Sequence, residues 1–313
     1  LRIRQIESFV SVCEIGSITQ AAAALNIVQP ALGAQINALE QELGVQLLER
    51  GPRGTTTTPA GQYFLEEAKE ILDRLATVRR TIKQFDPAQE EHISIGLTSS
   101  LSALLAGPLA QEFGRQNWSA KVQIVEEMSH LLGERVARGD LDFALAFNVE
   151  PRKGIKQTAV LRESVFFITG RKSEFGQEGP INLIELAKAT FVIPTEKGQI
   201  INLLRHAMEF FHLPLKVAYQ IESMDAIKGL ILEGNACAVL PYGTVAREVE
   251  AGTLIARRIV NPPLVRTLYL IQPSGRPKPA HAGSALHIIQ GFISHLAKNE
   301  AFEIVEQEVA PAV

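Results

Sequence analysis

Between residues 64 and 85, seven apolar side chains (Phe64, Ala68, Ile71, Leu75, Val78, Ile82 and Phe85) follow one another at alternating spacings of four and three. That is three heptads of a single seam on one helix, and Leu65 and Leu72 widen it. Pro59 stands where such a helix opens, and Asp86-Pro87 breaks it. Nothing nearby in sequence offers a partner for so long a seam. Two readings stay open. The helix packs on its own globular domain, or it is an arm that pairs with the same helix of a second copy. The second makes Phe64, Ala68, Ile71, Leu75, Val78 and Ile82 dimerisation residues. Either way, the helix divides the chain into a short first part and a long last part.

The first part, residues 1–58, reads as short helices and a hairpin. Ile3, Ile6, Phe9, Val10 and Cys13 keep helical spacing, and Gly16 ends that run. Ser17 is a good N-cap for a second short helix through Ala21 to Leu25. After a turn at Asn26–Val28, Pro30 suits the first turn of a third helix, continued by Leu32, Ile36, Leu39 and Leu43 and closed by Gly44. Two helices joined by a short turn make a helix-turn-helix. Gly51-Pro52 then marks a tight turn before four threonines, Thr55 to Thr58, whose β-branched side chains suit a strand. This predicts a small wing with Arg50 and Arg53 on either side of its turn.

From His92 the pattern changes. Ile93, Ile95 and Leu97 alternate as a strand, and strands recur at 122–125, 141–147, 165–169, 191–193, 216–221, 236–240 and 267–272. Helical segments lie between several of them. Alternation of this kind predicts an α/β fold with a sheet containing parallel strands. About 210 residues suffice for two small lobes. Two α/β lobes make a cleft, and ligands in such folds sit at the carboxyl ends of strands beside helix starts. Thr98, Ser99 and Ser100 follow the first strand and precede a helix, where hydroxyls and free N–H groups suit an anion. Ser129 and His130 follow the second strand, Phe147 and Asn148 the third, and Thr195 the strand ending at Ile193. The plain alternatives are helix caps at Thr98–Ser100, a surface role for His130, or an empty cleft.

Composition removes several function classes. No apolar run approaches the roughly 20 residues of a membrane span. The first residues do not follow a signal peptide's plan, so a cytoplasmic location is expected. Cys13 and Cys237 sit in separate apolar contexts, which predicts reduced core thiols and neither a disulfide nor a metal site. No GxSxG, phosphate-binding loop or HExxH occurs, and the seven histidines show no paired metal spacing, so no enzyme, metal or cofactor is expected. Net charge is −3, and residues 1–65 hold four Arg and no Lys against five Glu. That is a weak electrostatic footprint for a nucleic-acid binder, and the sequence motif must outweigh it.

The run Phe9-Val10 … Gly16-Ser17-Ile18-Thr19-Gln20-Ala21-Ala22-Ala23-Ala24-Leu25-Asn26 … Gln29-Pro30-Ala31-Leu32 … Leu39-Glu40 … Leu43-Gly44 … Leu47-Leu48-Glu49-Arg50 … Thr58-Pro59-Ala60-Gly61 resembles the DNA-binding domain of LysR-type transcriptional regulators. Gly139-Asp140-Leu141-Asp142-Phe143-Ala144-Leu145 and Gly234-Asn235-Ala236-Cys237-Ala238-Val239-Leu240-Pro241 are similar to strand motifs of the family's effector domain. Within the family, the chain is most similar to the nitrogen-assimilation-control branch. The resemblance implies a winged helix-turn-helix at 1–58, a linker and dimerisation helix with hinge at 59–91, and an effector domain at 92–313. That domain is two-lobed and like periplasmic binding proteins, with lobe I about 92–163 and 267–300 and lobe II about 164–266. It also implies a dimer or tetramer, a small anionic or polar effector held between the lobes, and an interrupted inverted repeat of double-stranded DNA as target. It admits RNA polymerase as a partner. The alternatives are a constitutive DNA-binding regulator with a vestigial cleft, and a solute-binding protein.

On that plan Gln29, Pro30 and Ala31 enter the major groove, where a glutamine amide pairs with adenine. Gln35 lies further along the helix, within reach of a phosphate or base. Arg53 suits a narrow minor groove. Ser17, Thr19, Arg50, Thr56, Thr57 and Thr58 are phosphate candidates, with Ser17 equally suited to a cap. Two positions depart from the family pattern: Gly33-Ala34 replaces a polar pair, and Val28 replaces a Ser or Thr. Both reduce polar readout.

Overall fold

The computed structural model describes residues 1–51, 54–83, 92–116, 118, 120–196, 198–275 and 279–305. The chain divides into two compact units, Leu1–Gln89 and Glu90–Val313. In the first, α1 (Ile3–Ile15) stops at Gly16, which takes a left-handed φ of 73°. That conformation suits glycine and ends a helix. Ser17 caps α2 (Ile18–Ala24) through an Oγ···Gln20 N contact of 3.4 Å. Helix α3 (Gln29–Leu43) has Pro30 in its first turn and Gly44 at its left-handed end. Strands β1 (Leu48–Gly51) and β2 (Gly54–Thr57) form the expected antiparallel wing, with Glu49 opposite Thr56. Two glycines let neighbours close in. A Cβ at Gly61 would lie 1.9 Å from the Leu47 carbonyl oxygen, and one at Gly54 would lie 2.7 Å from that of Gly16. The Gly16 carbonyl also accepts the Thr55 N–H, which fixes the wing to the end of α1.

Phe9, Val12, Ala21, Leu32, Ile36, Leu39 and Leu47 fill the core of this unit. Helix α4 (Pro59–Lys83) adds Ala68, fully buried, and Phe64, which meets Phe9 edge-on at 5.2 Å. Here the seam departs from expectation. Phe64 and Ala68 face inward and complete their own domain. Further along, Ile71, Val78 and Ile82 are exposed, Ile82 by 66%. A straight helix of 3.6 residues per turn rotates about 20° per heptad relative to a 3.5 repeat, so one seam can serve two surfaces in turn. Phe85 and the break at Asp86-Pro87 lie outside the described residues.

The second unit contains β3 (His92–Leu97), α5 (Ser99–Arg115), β4 (Lys121–Glu126), α6 (Ser129–Arg138), β5 (Phe143–Phe147), β6 (Ile155–Gly170), β7 (Ile181–Asn182), a 3-10 turn (Leu183–Lys188), β8 (Thr190–Ile193), α7 (Gln199–Phe210), β9 (Lys216–Gln220), α8 (Met224–Leu232), β10 (Ala238–Pro241), α9 (Tyr242–Glu250), β11 (Leu254–Val260), β12 (Val265–Pro273), α10 (Ala282–Leu296) and β13 (Phe302–Ile304). Among the described residues the main sheet runs β4-β3-β5-β12-β6-β11-β7, and β10 and β13 also pair with β6. It is mixed. β3 is parallel to β4 and β5, whereas β12 is antiparallel to β5 and β6.

Strand β6 holds the unit together. Residues 155–164 pair with β12, and residues 165–170 pair with β10 and β11. One strand therefore runs through two lobes. The sequence pattern marked only its second half as a strand and missed α9, β11 and β13. The two lobes keep largely separate cores, one around Ile95, Leu101, Phe147 and Ile289, the other around Phe167, Phe191 and Leu204.

Candidate nucleic-acid interface and effector cavity

Helix α3 begins on Val28, whose side chain makes no cap and is 69% exposed. Gln29 and Pro30 are exposed beside it, and Ala31 is half-buried. The start of the helix thus carries free side chains on an open surface, with the positive end of its backbone dipole unshielded. Thr19 and Thr56 are also exposed. Arg53 and the side chain of Arg50 lie outside the described residues.

Other candidates are engaged inside the unit. Ser8 Oγ donates to Gln35 Oε1 at 2.5 Å, so half of that amide is tied to α1. Thr58 Oγ1 donates to the Gln46 carbonyl at 2.8 Å and accepts the Gly61 N–H at 2.9 Å. It anchors the start of α4, and both directions of its hydroxyl are used. Ser17 is a cap. Thr57 is half-buried and reaches Gln62 at 3.4 Å. Glu40, which the sequence reading passed over as a site, accepts the Leu47 and Leu48 N–H groups at 2.7 and 3.0 Å and so seats the wing against α3.

In the second unit a cavity of about 180 Å³ opens between the lobes. Thr98, Ser99 and Ser100 line it from one lobe. Phe191, Ile193, Ile200, Leu204, Met224 and Val239 are among the residues that line it from the other. The walls are therefore mostly apolar, where the sequence pointed to a polar or anionic ligand alone. Thr195 is adjacent in chain to the lining residues Pro194 and Gly198, and its own side chain is not part of the wall.

Three candidates serve the scaffold instead. Ser129 Oγ accepts the Phe147 N–H at 3.1 Å in a buried contact. Phe147 is fully buried, with the Arg266 guanidinium 3.5 Å above its ring. Asn148 Oδ1 accepts the Thr267 N–H at 2.9 Å. His130 and Asn148 border a different cavity of about 320 Å³, walled by Glu134 and Arg152, which pair at 3.3 Å. Gln199 borders both cavities and donates from Nε2 to the Phe147 carbonyl across the lobes at 3.3 Å. These candidates lie at strand ends, as supposed. Strand ends in a two-lobed fold point to several surfaces, and the side chain's rotamer decides which.

The floor of the first cavity is Arg266, which the sequence reading missed. Its Nε donates to Glu163 Oε2 at 2.5 Å and its guanidinium to Ser100 Oγ at 2.8 Å. Arg266 on β12 stands directly opposite Glu163 on β6. Both are buried, at 7% and 0% side-chain exposure. Burial pushes the Glu163 carboxyl up and the Arg266 guanidinium down, and each partner opposes the other's shift. The available signal was a single charge interrupting each of two apolar strands, and only knowledge of their pairing makes it readable. Gly243 at the start of α9 permits the close approach of the lobes here, because a Cβ would lie 2.2 Å from the Ser100 carbonyl oxygen.

Comparison with known proteins agrees with both units. Residues 3–62 match the model of the bacterial regulatory helix-turn-helix protein, lysR family, and residues 88–292 match the LysR substrate binding domain. The chain belongs to the LysR family of transcriptional regulators. Similar relatives are the HTH-type transcriptional regulator BbuR of Bordetella bronchiseptica, 31% identical over 84% of this chain and 81% of that protein, and the nitrogen assimilation regulatory protein nac of Escherichia coli, 29% identical over 94% and 96%. The family's regulators are not enzymes, as expected from the absence of catalytic motifs. Full-length CbnR complexed with its target DNA shares the fold at a TM-score of 0.59 and 20% identity, covering 93% of this chain and 99% of that one. A full-length OxyR variant from Pseudomonas aeruginosa, altered at one cysteine, does so at 0.57 and 17%, covering 99% of each. No helix among the described residues is long and apolar enough to cross a membrane.

Proposed function

We propose that this LysR-family regulator binds an interrupted inverted repeat as a dimer or a tetramer, and that a small molecule held between the effector lobes modulates the binding. The observation that carries the DNA half is the start of α3, where Gln29 and Pro30 stand exposed at an uncapped helix end. Gln29 supplies base contact, Pro30 and Ala31 an apolar surface for a thymine methyl, and Thr19 and Thr56 phosphate contacts. The description of CbnR as bound to its target DNA supports this use of the fold. Exposed Ile71, Val78 and Ile82, with half-buried Leu75, supply the pairing surface of α4. The identity to nac supports a place near the nitrogen-assimilation branch, with RNA polymerase as a downstream partner.

For sensing, closure of the lobes on a ligand would bias how the paired chains present their two α3 helices. Such coupling needs a ligand that favours one arrangement over another. A mobility-shift assay on the chain's own upstream DNA, with and without metabolite pools, tests both halves. Gln29→Ala is expected to weaken the specific site about tenfold or more, from the roughly 1–3 kcal/mol of one bidentate base contact. Absence of a shift on any DNA overturns the regulator assignment for this chain. A shift that no pool alters selects the constitutive alternative.

A further inference from the structure

We propose that the inter-lobe cavity selects a small monocarboxylate with an apolar body, its carboxylate seated at the start of α5 on the Thr98 hydroxyl. This rests on the effector reading above and names the class of molecule.

The first observation is Thr98 itself. It is only 7% exposed and lines the cavity, yet its Oγ1 has no hydrogen-bond partner among the described residues. It occupies the N-cap position of α5 without capping it. By contrast, Ser17 and Ser223 cap α2 and α8. A buried hydroxyl left unpaired is costly. A carboxylate oxygen in the cavity accepts its proton and, in the same place, the free N–H groups of the first turn.

The second observation is charge. Helices α5, α7 and α9 all begin on the cavity wall, at Ser99, Gln199 and near Thr244, and none has a side-chain cap. Each presents roughly half a positive charge. Among the described residues that line the cavity, Arg266 is the only charged side chain, and Glu163 already balances it. The wall therefore favours one negative charge and has no free cation for a second. A second carboxylate would lie against Phe191, Ile193, Leu204 and Met224, where desolvation goes uncompensated. The same side chains suit an apolar body. At about 180 Å³ the cavity is below the roughly 300–1,000 Å³ of clefts for larger ligands, so that body is short.

The test uses the full chain and three probes of equal carbon number: hexanoate, hexanamide and adipate, with charges of one, none and two. Calorimetric titration should rank hexanoate first, with the other two at least about tenfold weaker, because a charge-assisted hydrogen bond contributes more than a neutral one. Thr98→Val should weaken hexanoate about tenfold, and Thr98→Ser should keep most of its affinity. The ranking in the unaltered chain needs no variant, so a misfolded Thr98→Val does not blunt the test. Adipate or hexanamide binding best, equal affinity for all three, or no binding of any at millimolar concentration overturns the class. So does undiminished hexanoate binding by a folded Thr98→Val. These failures are separable from failure of the effector reading. If metabolite pools still alter the DNA shift, and Thr98→Val or Thr98→Ser changes that response, the cavity remains the sensing site and only its ligand class is wrong.

Discussion

In the DNA-binding unit, Ser17, Gln35, Glu40 and Thr58 each meet a partner inside their own small domain, and the side chains left free are a few at the start of α3 and on the wing. In the effector unit the polar groups around the cavity behave differently. Arg266 finds Glu163 103 residues away and Ser100 166 residues away, and the Thr98 hydroxyl and Glu163 Oε1 have no partner among the described residues. The first unit uses its hydrogen bonds to hold a shape whose outer surface does the work. The second keeps unused polar capacity in its interior, where a ligand can meet it. Rigidity suits a surface that must match a fixed duplex, whereas a sensor needs a site whose occupancy changes its energy.

The contrast is sharpest when one acid from each unit is compared, and the largest expected effect lies there. Glu163→Leu leaves the Arg266 cation buried without its counter-ion, and should cost about 3–5 kcal/mol of effector-unit stability. Glu163→Leu combined with Arg266→Met should cost less than Glu163→Leu alone, since two apolar groups replace the pair. Glu40→Ala, at a half-buried site, frees two N–H groups that water can reach, and should cost only about 1–2 kcal/mol in the N-terminal unit. Denaturant titration with a probe in each unit measures both. Equal costs would erase the distinction drawn between the units.

The same contrast explains what was legible in the sequence. Every boundary in the first unit is local: Gly16 and Gly44 stop helices, Ser17 starts one, and Pro30 fits a first turn, each acting within a few residues. The alternation of strands and helices in the second unit was local too, and it revealed the class of fold. Strand β6 was half missed because its first part, Ile155 to Arg162, mixes polar and apolar residues with no turn signal between it and the second part. Thr98–Ser100 were found because a hydroxyl cluster between strand and helix is a short-range sign. Arg266 was not, because its meaning depends on a cross-strand neighbour over a hundred residues distant. Gln35 and Thr58 were placed on the correct elements, and only packing shows that their polar atoms are already bonded.

Helix α4 carries a similar division within one element. Its first turns, with Phe64 and Ala68, belong to the core, and its exposed stretch, with Ile71, Val78 and Ile82, has no partner of its own among the described residues. Val78→Glu with Ile82→Glu should weaken self-association at least about a hundredfold, taking roughly 1.5 kcal/mol per apolar side chain no longer buried. Melting of the DNA-binding unit should not change. Ala68→Glu should do the reverse and melt the unit. Sedimentation and circular dichroism distinguish the two outcomes, and association unaffected by the double variant would show that the exposed stretch is not the pairing surface.

A smaller effect concerns salt. With four Arg and no Lys in residues 1–65, few phosphates can be neutralised per subunit. Each neutralised phosphate contributes roughly −0.9 to the slope of log affinity against log salt, so a dimer should give a slope well short of about −9, the value for ten phosphates. Fluorescence anisotropy across a salt series measures it. A steep slope would mean that cations beyond the wing and helix-turn-helix join the interface, and the surface described for the first unit would then be incomplete.

The smallest expected effect is a null result at the two thiols, one in each unit. Burial pushes Cys13 up to about 11, with Glu14 adding to the rise and Lys69 opposing it, and burial also raises Cys237. A raised thiol value means a larger neutral fraction at a given pH, and only the thiolate is the nucleophile. At pH 8 a thiol of about 11 is ionised in roughly one molecule per thousand. Cys237 is further enclosed, its sulfur lying 3.7 Å from Thr169 Oγ1 and 3.9 Å from Ser173 Oγ. A disulfide reagent should therefore label the native chain far more slowly than the denatured chain, and mild peroxide should leave DNA affinity unchanged. The shared fold with OxyR makes this a useful contrast, because fold similarity at 17% identity does not carry over the chemistry of individual cysteines. Rapid labelling of Cys237 in the native chain would mean that the second lobe opens often enough to expose its core, and the separation between a rigid DNA reader and a ligand-gated sensor would have to include a reactive thiol.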